Sequence, residues 1–518
     1  MPIPWTAVLF LAFLYLAYNA LPTLLAPLLT PLRRLPGPSS PNWFWGHLRE
    51  FRGDAGTLAQ SWIAKYGHVL RFKLILNLDR LLTTDTKALN HILTHSADYQ
   101  KPAQTRVALS GIFGEGLLFA EGGNAVLNIL RDLWQSSISR HGGAATQVDI
   151  LAGLNQMTLD VIGLAGFGYD FDALNPSGEM NPLRSALNEI LNPAAQSSPL
   201  VLIQTFIPFF RRIPTERRKK IEAARKSMLQ IGAELLAKKR TALLAASESK
   251  EQGVISEDNV DVSGRDLLTL LIKANIAKDL PESQRLSDDE VIAQIPTFFV
   301  AGHETTASAV TWCLFALSVD VNIQHKLREE LRAVETETPS MDELMALPYL
   351  DCVLRETLRL YPPVAYTARQ AMKDDLIPLN KPYTDTHGEV QDAIRIRAGD
   401  QIMICIAAIN QMKEIWGDDA DEFKPERWYN PPAGASSIPG VWGNVLSFLG
   451  GPRACIGYRF SLVEFKALMF TLLRAFEFDL AVPKEDVTKR SLIVTKPVIK
   501  SLGENGNQMP MFVRPARR

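Results

Sequence analysis

The stretch of this sequence best equipped for chemistry is Phe448-Leu449-Gly450-Gly451-Pro452-Arg453-Ala454-Cys455-Ile456-Gly457. Gly450-Gly451-Pro452 dictates a turn. Gly457 lacks a Cβ, so backbone there can approach a flat surface. From Tyr458 onward, Phe460, Val463, Phe465, Leu468, Met469 and Leu472 recur at helical spacing. Cys455 is therefore expected just ahead of a helix N-terminus, where the dipole and free N–H groups lower a thiol's pKa. A thiolate so placed suits a soft metal ion, and Arg453 offers a fixed positive charge to a carboxylate. The other cysteines, Cys313, Cys352 and Cys405, form no C-x-x-C pair. A zinc site and a disulfide framework are excluded on that spacing.

Further stretches carry polar groups in apolar surroundings. Glu356-Thr357-Leu358-Arg359 sets an acid and a base on one helix face, flanked by Leu354, Leu360 and Tyr361-Pro362-Pro363. Those neighbours predict a buried pair, with Arg427 available downstream in Phe423-Lys424-Pro425-Glu426-Arg427-Trp428. Ala301-Gly302-His303-Glu304-Thr305-Thr306 places an acid beside a hydroxyl among Phe298, Phe299, Val300, Ala307 and Val310. On the residues alone this is either a helix bend with a self-satisfied threonine or a proton relay. His303 is not expected to bind metal. Arg369, after the Glu356 helix, is either a surface arginine or an anion partner.

The elements that must hold these groups follow from patterning. With 47% hydrophobic and 21% charged residues and a net charge of −1, the chain is ordinary globular protein, with no field to attract nucleic acid. Residues 1–32 read as a membrane anchor: an apolar run over residues 7–29 precedes the first charges, Arg33 and Arg34. The basic pair follows the run instead of leading it, which predicts a retained anchor with the pair on the cytoplasmic side. Residues 33–46, with Pro36, Pro38 and Pro41, read as a stiff linker. Residues 47–518 read as one catalytic domain, mainly α with a small β part. Strands are expected over residues 66–82, turning near Asn77-Leu78-Asp79, and over 394–406, turning at Ala398-Gly399-Asp400. Helical periodicity covers residues 151–164 and 221–244, the second behind a solvated basic run, Arg217-Arg218-Lys219-Lys220. Ser287-Asp288-Asp289-Glu290 and Ser340-Met341-Asp342-Glu343 are capping boxes. Residues 247–263 are polar enough to be a surface loop.

Phe448, Gly451, Arg453, Cys455 and Gly457 match the F-x-x-G-x-R-x-C-x-G signature, and the chain resembles the cytochrome P-450 family, in its eukaryotic microsomal and fungal form. The resemblance runs from Leu35 almost to the C-terminus. It implies the cytochrome P-450 fold behind an N-terminal transmembrane helix in the endoplasmic reticulum, with the catalytic domain facing the cytosol. It implies haem b with Cys455 as axial iron ligand, Arg453 and Arg369 on its propionates, and Phe448 and Gly457 shaping the loop. Glu356, Arg359 and Arg427 would be the family's buried structural triad. Thr305 would hydrogen-bond dioxygen and Glu304 would relay protons. The implied activity is insertion of one atom of O2 into a small apolar substrate. No flavin domain follows the haem segment, so electrons are expected from NADPH through a separate cytochrome P-450 reductase, with cytochrome b5 as an optional donor. The rival readings are a haem-thiolate isomerase or peroxide-using enzyme, and an inactive variant that binds haem poorly.

The last rival rests on a departure. The family places a tryptophan or histidine, and an arginine four residues on, in a helix soon after an acid-glycine pair. Here Glu121-Gly122 runs into Gly123-Asn124-Ala125-Val126-Leu127-Asn128-Ile129-Leu130, and no such pair follows. A helix near residues 122–130 is expected to be missing, through splicing, a mis-assigned exon boundary or deletion. Trp134 stands in the wrong context to replace it.

Overall fold

In the computed structural model, which describes residues 30–102, 105, 124–140, 142–175, 216–251, 266–276, 285–491, 493–505 and 507–517, both capping boxes start helices. Ser287 Oγ accepts from the Glu290 N–H while the Glu290 carboxylate takes the Ser287 N–H at 2.8 Å. Ser340 and Glu343 make the same exchange. Residues 1–29 of the proposed anchor and the Glu121-Gly122 pair lie outside the described residues; Pro31–Arg34 form a 3-10 turn with Leu32 buried.

The main helices are α1 (Ala55–Tyr66), α2 (Thr86–Thr94), α3 (Asn124–Arg140), α4 (Ile150–Phe167), α5 (Glu216–Glu251), α6 (Leu267–Ile276), α7 (Asp288–Val319), α8 (Val321–Arg332), α9 (Met341–Ala346), α10 (Pro348–Leu360) and α11 (Tyr458–Ala475). α7 is apolar on nearly every side through its middle, so it can only be stable inside the protein. It crosses α4 closely: a Cβ on Gly302 would lie 2.8 Å from Ile162 Cγ1. Thr158 Oγ1 of α4 donates to His303 O of α7 at 3.1 Å and fixes the register of the crossing. α4 is the one described helix long and apolar enough to cross a membrane, but it is buried against α7 as a core helix.

The strands are β1 (Val69–Lys73), β2 (Asp79–Thr83), β3 (Tyr99–Gln100), β4 (Thr146–Asp149), β5 (Tyr366–Ala371), β6 (Asp375–Thr384), β7 (Val390–Ile396), β8 (Gln401–Cys405), β9 (Phe476–Leu480), β10 (Val487–Ser491), β11 (Thr495–Ile499) and β12 (Pro510–Pro515). One sheet runs β1-β2-β8-β5-β3, parallel only at β2–β8. The others are β4-β12-β9 and the hairpins β6-β7 and β10-β11. The expected pair of strands over residues 394–406 exists, but its members belong to different sheets: β7 pairs with β6, and β8 with β5 and β2. Over residues 66–82 the strands are shorter than alternation predicts. Tyr66 ends α1, and Ile75–Asn77 is a 3-10 turn with Leu76 and Asn77 at φ 57° and 59°. Residues 247–251 continue α5, so the expected loop does not begin at Ser247. Residues 33–46 lie against β1. Leu35 is buried, Pro36 O accepts the Arg71 N–H at 2.8 Å, and a Cβ on Gly37 would strike Arg71 O.

The Glu356–Arg359–Arg427 network forms as expected and is the most deeply buried charge cluster described. Arg359 and Glu356 side chains are both 0% exposed and pair through two 2.9 Å bonds, Nε–Oε2 and Nη2–Oε1. Arg427 Nε donates to Glu356 Oε1 at 3.1 Å, and Trp428 Nε1 to Oε2 at 3.0 Å. Arg359 spends its remaining hydrogens on Asn410 O, Ala420 O and Glu422 O. Asn410 in turn binds Leu446 N and Ser447 Oγ, at the entrance to the cysteine segment. Glu356→Ala strands two guanidinium groups in the interior and is expected to cost about 3–5 kcal/mol. Urea unfolding of the full chain measures this; a loss under about 1 kcal/mol, the surface-pair range, would contradict the network's role.

Candidate active site

Backbone geometry, more than any side chain, shapes the loop around Cys455. Gly451 has φ +69°, and a Cβ there would sit 2.4 Å from Leu93 O at the end of α2. Gly450 is tighter still: a Cβ there would sit 1.8 Å from Pro439 O. Cys455 N–H donates to Phe448 O at 2.8 Å, closing the loop, and the Phe448 ring packs on Tyr458 at 5.9 Å between centroids. Gly457 N-caps α11, so Cys455 stands just before a helix N-terminus, as the spacing predicts. The expected fall in thiol pKa does not follow. Burial pushes the Cys455 thiol up, and the Gly457 N–H offsets only part of that. The side chain itself is exposed, so the desolvation comes from atoms around the loop and not from enclosure of the sulfur. Metal binding at this sulfur therefore has to expel a proton.

Arg369, on β5, is not a surface arginine. It is 2% exposed and its printed bonds go to Thr367 Oγ1 and Ala368 O. Burial and the nearby Arg453 pull its pKa down to about 10. Lys101 is also pulled down, by burial and then by Arg369 and Arg453. Arg453 Nη2 donates to Ser96 O at 3.2 Å. Among the described residues, no carboxylate pairs with Lys101, Arg369 or Arg453. Lys101 and Arg453 are exposed, but a buried guanidinium such as Arg369 without an anion is costly, and with its two cationic neighbours it suits an anionic group.

The α7 segment brings Thr305 to this region. Thr305 and Thr306 share a cavity of about 30 Å³ with Phe448 of the cysteine loop and Ser461 and Phe465 of α11. Thr305 Oγ1 donates to Ala301 O at 2.7 Å, so its hydroxyl is self-satisfied until a better acceptor arrives. Glu304 is buried and ion-paired with Lys496 of β11 at 2.5 Å. The hairpin holds that lysine firmly. Thr495 O accepts from Ser308 Oγ at 2.7 Å and Trp312 Nε1 at 3.1 Å, and Thr495 N donates to Pro363 O at 2.7 Å. Lys496 has no sequence signal, because it lies 192 residues from its partner in an unremarkable strand. His303 is buried with Nδ1 2.5 Å from Phe299 O, and burial lowers its pKa. It belongs to no metal-binding group among the described residues. Trp134 packs on Phe476 and Phe478, within the helical core.

A cysteine loop at a helix start, a set of cations awaiting an anion, and an acid-hydroxyl face define a haem-thiolate type of site. The comparisons agree. Residues 119–502 match the family model "Cytochrome P-450". Cytochrome P-450 monooxygenase 205 of Postia placenta is 49% identical, over 94% of this chain and 93% of that protein. Monooxygenase 128 of the same fungus is 47% identical, over 99% and 98%. A crystal structure of a cytochrome P-450 (CYP102L1) superposes with TM-score 0.68 at 20% identity, covering 93% of this chain and all of that one. This chain belongs to the cytochrome P-450 family and is a monooxygenase related to those of fungi.

The family's cofactor is haem, and the residues present fit it: Cys455 for iron, and Arg369, Arg453 and Lys101 for paired carboxylates. Arg369→Gln relieves repulsion in the cofactor-free protein but removes a charge-assisted bond to the cofactor. The expected result is unchanged or higher cofactor-free stability with haem held roughly tenfold more weakly, the factor set by about 1.4 kcal/mol. Haem transfer to apomyoglobin measures the second quantity; transfer at the wild-type rate would remove Arg369 from the site.

Proposed function

We propose that this chain inserts one oxygen atom of O2 into a small apolar organic substrate and reduces the other to water. Electrons come from NADPH through a separate cytochrome P-450 reductase, with cytochrome b5 as an additional donor. Residues 1–32 anchor the protein in the endoplasmic reticulum membrane, leaving the catalytic domain in the cytosol. The observation that carries the reading is the buried Arg369, with Arg453 and Lys101 near it and no carboxylate paired to any of the three among the described residues, beside the exposed thiol of Cys455.

Haem b bound at this site supplies an iron centre able to bind and reduce dioxygen. The chain supplies the rest. Cys455 Sγ would hold the haem iron, in a loop whose Phe448 O accepts the Cys455 N–H and whose Gly457 N–H bears on the sulfur. Arg369 and Arg453 would neutralise its carboxylates. Thr305 Oγ1 turns from Ala301 O to hydrogen-bond oxygen, and Glu304 moves protons to it when it leaves Lys496. Apolar residues of α7 and α10 lining the same cavity, Ala309, Leu354 and Leu358, keep bulk water out.

A weakly haem-binding variant is the second reading, and one observation favours it. The alignment with Postia monooxygenase 128 runs to 541 positions, more than the 518 residues of this chain, so that protein carries sequence with no counterpart here. The family match opens at residue 119, beside Glu121-Gly122. A carbon monoxide difference spectrum of the reduced, full-length protein separates the two. The red-shifted thiolate band is expected in wild type and lost in Cys455→Ser; a wild-type protein without it is the variant. Thr305→Ala should keep the band while diverting NADPH from product to hydrogen peroxide.

A further inference from the structure

A second cavity, of about 870 Å³, lies between the Pro31–Arg34 turn and the β6-β7 hairpin. Its volume falls within the roughly 300–1,000 Å³ of small-molecule sites. None of its lining residues belongs to the site around Cys455 or to the Thr305 pocket. Arg34, Arg395 and Arg397 face Asp374, Asp375 and Asp385 across it, so three positive and three negative formal charges cancel.

The two signs are not equally available. The carboxylates are mostly committed inside the protein. Asp385 Oδ1 accepts the His387 and Glu389 N–H groups at 2.9 and 3.0 Å. Asp375 Oδ2 accepts from Tyr99 Oη at 2.6 Å and lies 2.9 Å from His91 Nε2. Asp374 Oδ1 accepts the Ala398 N–H at 2.9 Å, while its Oδ2 has no partner among the described residues. The donors are idle. Among the described residues, the exposed Arg34 and Arg395 form no ion pair, and the half-buried Tyr383 hydroxyl and Gln391 side-chain amide make no hydrogen bond. Two guanidinium groups, a phenol and an amide with nothing to bind suit the oxygens of a phosphate. The open oxygen of Asp374 suits an ammonium group beside it. A cavity of cancelling charge gives a bare anion or a bare cation no net attraction; a ligand that carries both signs uses both halves.

The position of the cavity says where such a ligand comes from. Pro31 and Arg34 come directly after the apolar run over residues 7–29. Two residues of chain span at most about 7 Å, so Pro31 stays within that reach of Leu29. The headgroup layer on each side of a bilayer is roughly 5–8 Å deep. With residues 1–32 as the anchor, the cavity therefore opens onto that layer. The turn is tied to the hairpin, since Arg34 O accepts the Thr386 N–H at 2.8 Å. Leu376 on the cavity wall is 54% exposed, and Val390 at the start of β7 is 71% exposed. Both are apolar side chains with no cover, as a surface resting on lipid would have.

We propose that this cavity binds the headgroup of a zwitterionic phospholipid, with the phosphodiester on Arg34, Arg395 and Tyr383 and the ammonium beside Asp374. Binding there holds the β6-β7 hairpin against the bilayer and fixes the tilt of the catalytic domain on its anchor. The inference rests on the membrane-anchor reading for the source of the lipid, though not for the chemistry of the cavity.

The full chain in a non-ionic, phosphate-free detergent tests it. With dioleoylphosphatidylcholine added to the micelles, native mass spectrometry should find one lipid retained, and hydrogen exchange should slow across residues 383–395. The double variant Arg34→Gln, Arg395→Gln should bind about tenfold more weakly and lose the slowing. Tyr383→Phe, which removes one hydroxyl, should weaken binding several-fold. No retained lipid in wild type, or equal retention in a folded double variant, overturns the proposal. Wild type alone supplies a test that needs no variant. Phosphatidylcholine should outcompete phosphatidylglycerol, which has the phosphodiester without the ammonium, and millimolar inorganic phosphate should not reproduce the slowing. Equal or tighter retention of phosphatidylglycerol overturns the zwitterion, and slowing by phosphate alone makes this a free-phosphate site and overturns the lipid. The anchor reading fails separately, if alkaline carbonate strips the full chain from microsomes; the lipid preference in detergent is decided either way.

Discussion

A fully buried carboxylate, Glu356, is the point on which the rest of this structure depends. It survives in the interior because every direction around it is filled by a donor: Arg359, Arg427, Trp428 Nε1 and the Lys424 N–H. The charge of Arg359 is then distributed over carbonyls of segments with no regular partner, at Asn410, Ala420 and Glu422. Such segments would otherwise leave polar backbone groups unpaired in the core. Asn410 extends the chain of bonds to Leu446 and Ser447, and Phe448 O passes it to Cys455 N. The position of the sulfur is therefore set by a network that never touches it. Pairs of this kind add little net stability over apolar packing, but they allow only one arrangement.

Where that network is complete, other polar groups are conspicuously incomplete. Arg369 is as buried as many core leucines and has no anion within the described chain. Glu464 has no charged partner, only the Thr306 hydroxyl nearby. A protein that satisfies Glu356 so thoroughly does not leave these by neglect. Each unsatisfied group is a stability cost that a bound group must offset.

Much of this was legible in the residues, for physical reasons that differ by element. The cysteine loop is written in glycines because its backbone passes within contact of Pro439 O and Leu93 O, where no other residue fits. The capping boxes are local hydrogen-bond exchanges, complete within four residues, and both formed. Alternation failed near Leu76 because a left-handed turn there overrides the period, and no glycine marks it. It also could not tell that β7 and β8, adjacent in sequence, join different sheets. Lys496 and Glu464 were invisible for the same reason: what matters about them is who stands across from them in space.

The middle of α7 shows what that spatial information adds. Glu304 is placed by an ion pair with a lysine whose strand is clamped at Thr495. Glu464, reaching α7 from α11, meets only a hydroxyl and stays neutral. α7 thus carries one acid tied by an ion pair to the β10-β11 hairpin, and it is met from α11 by a second acid that touches only the Thr306 hydroxyl. The first can move only if the hairpin or its own side chain moves, while the second is held by helix packing alone.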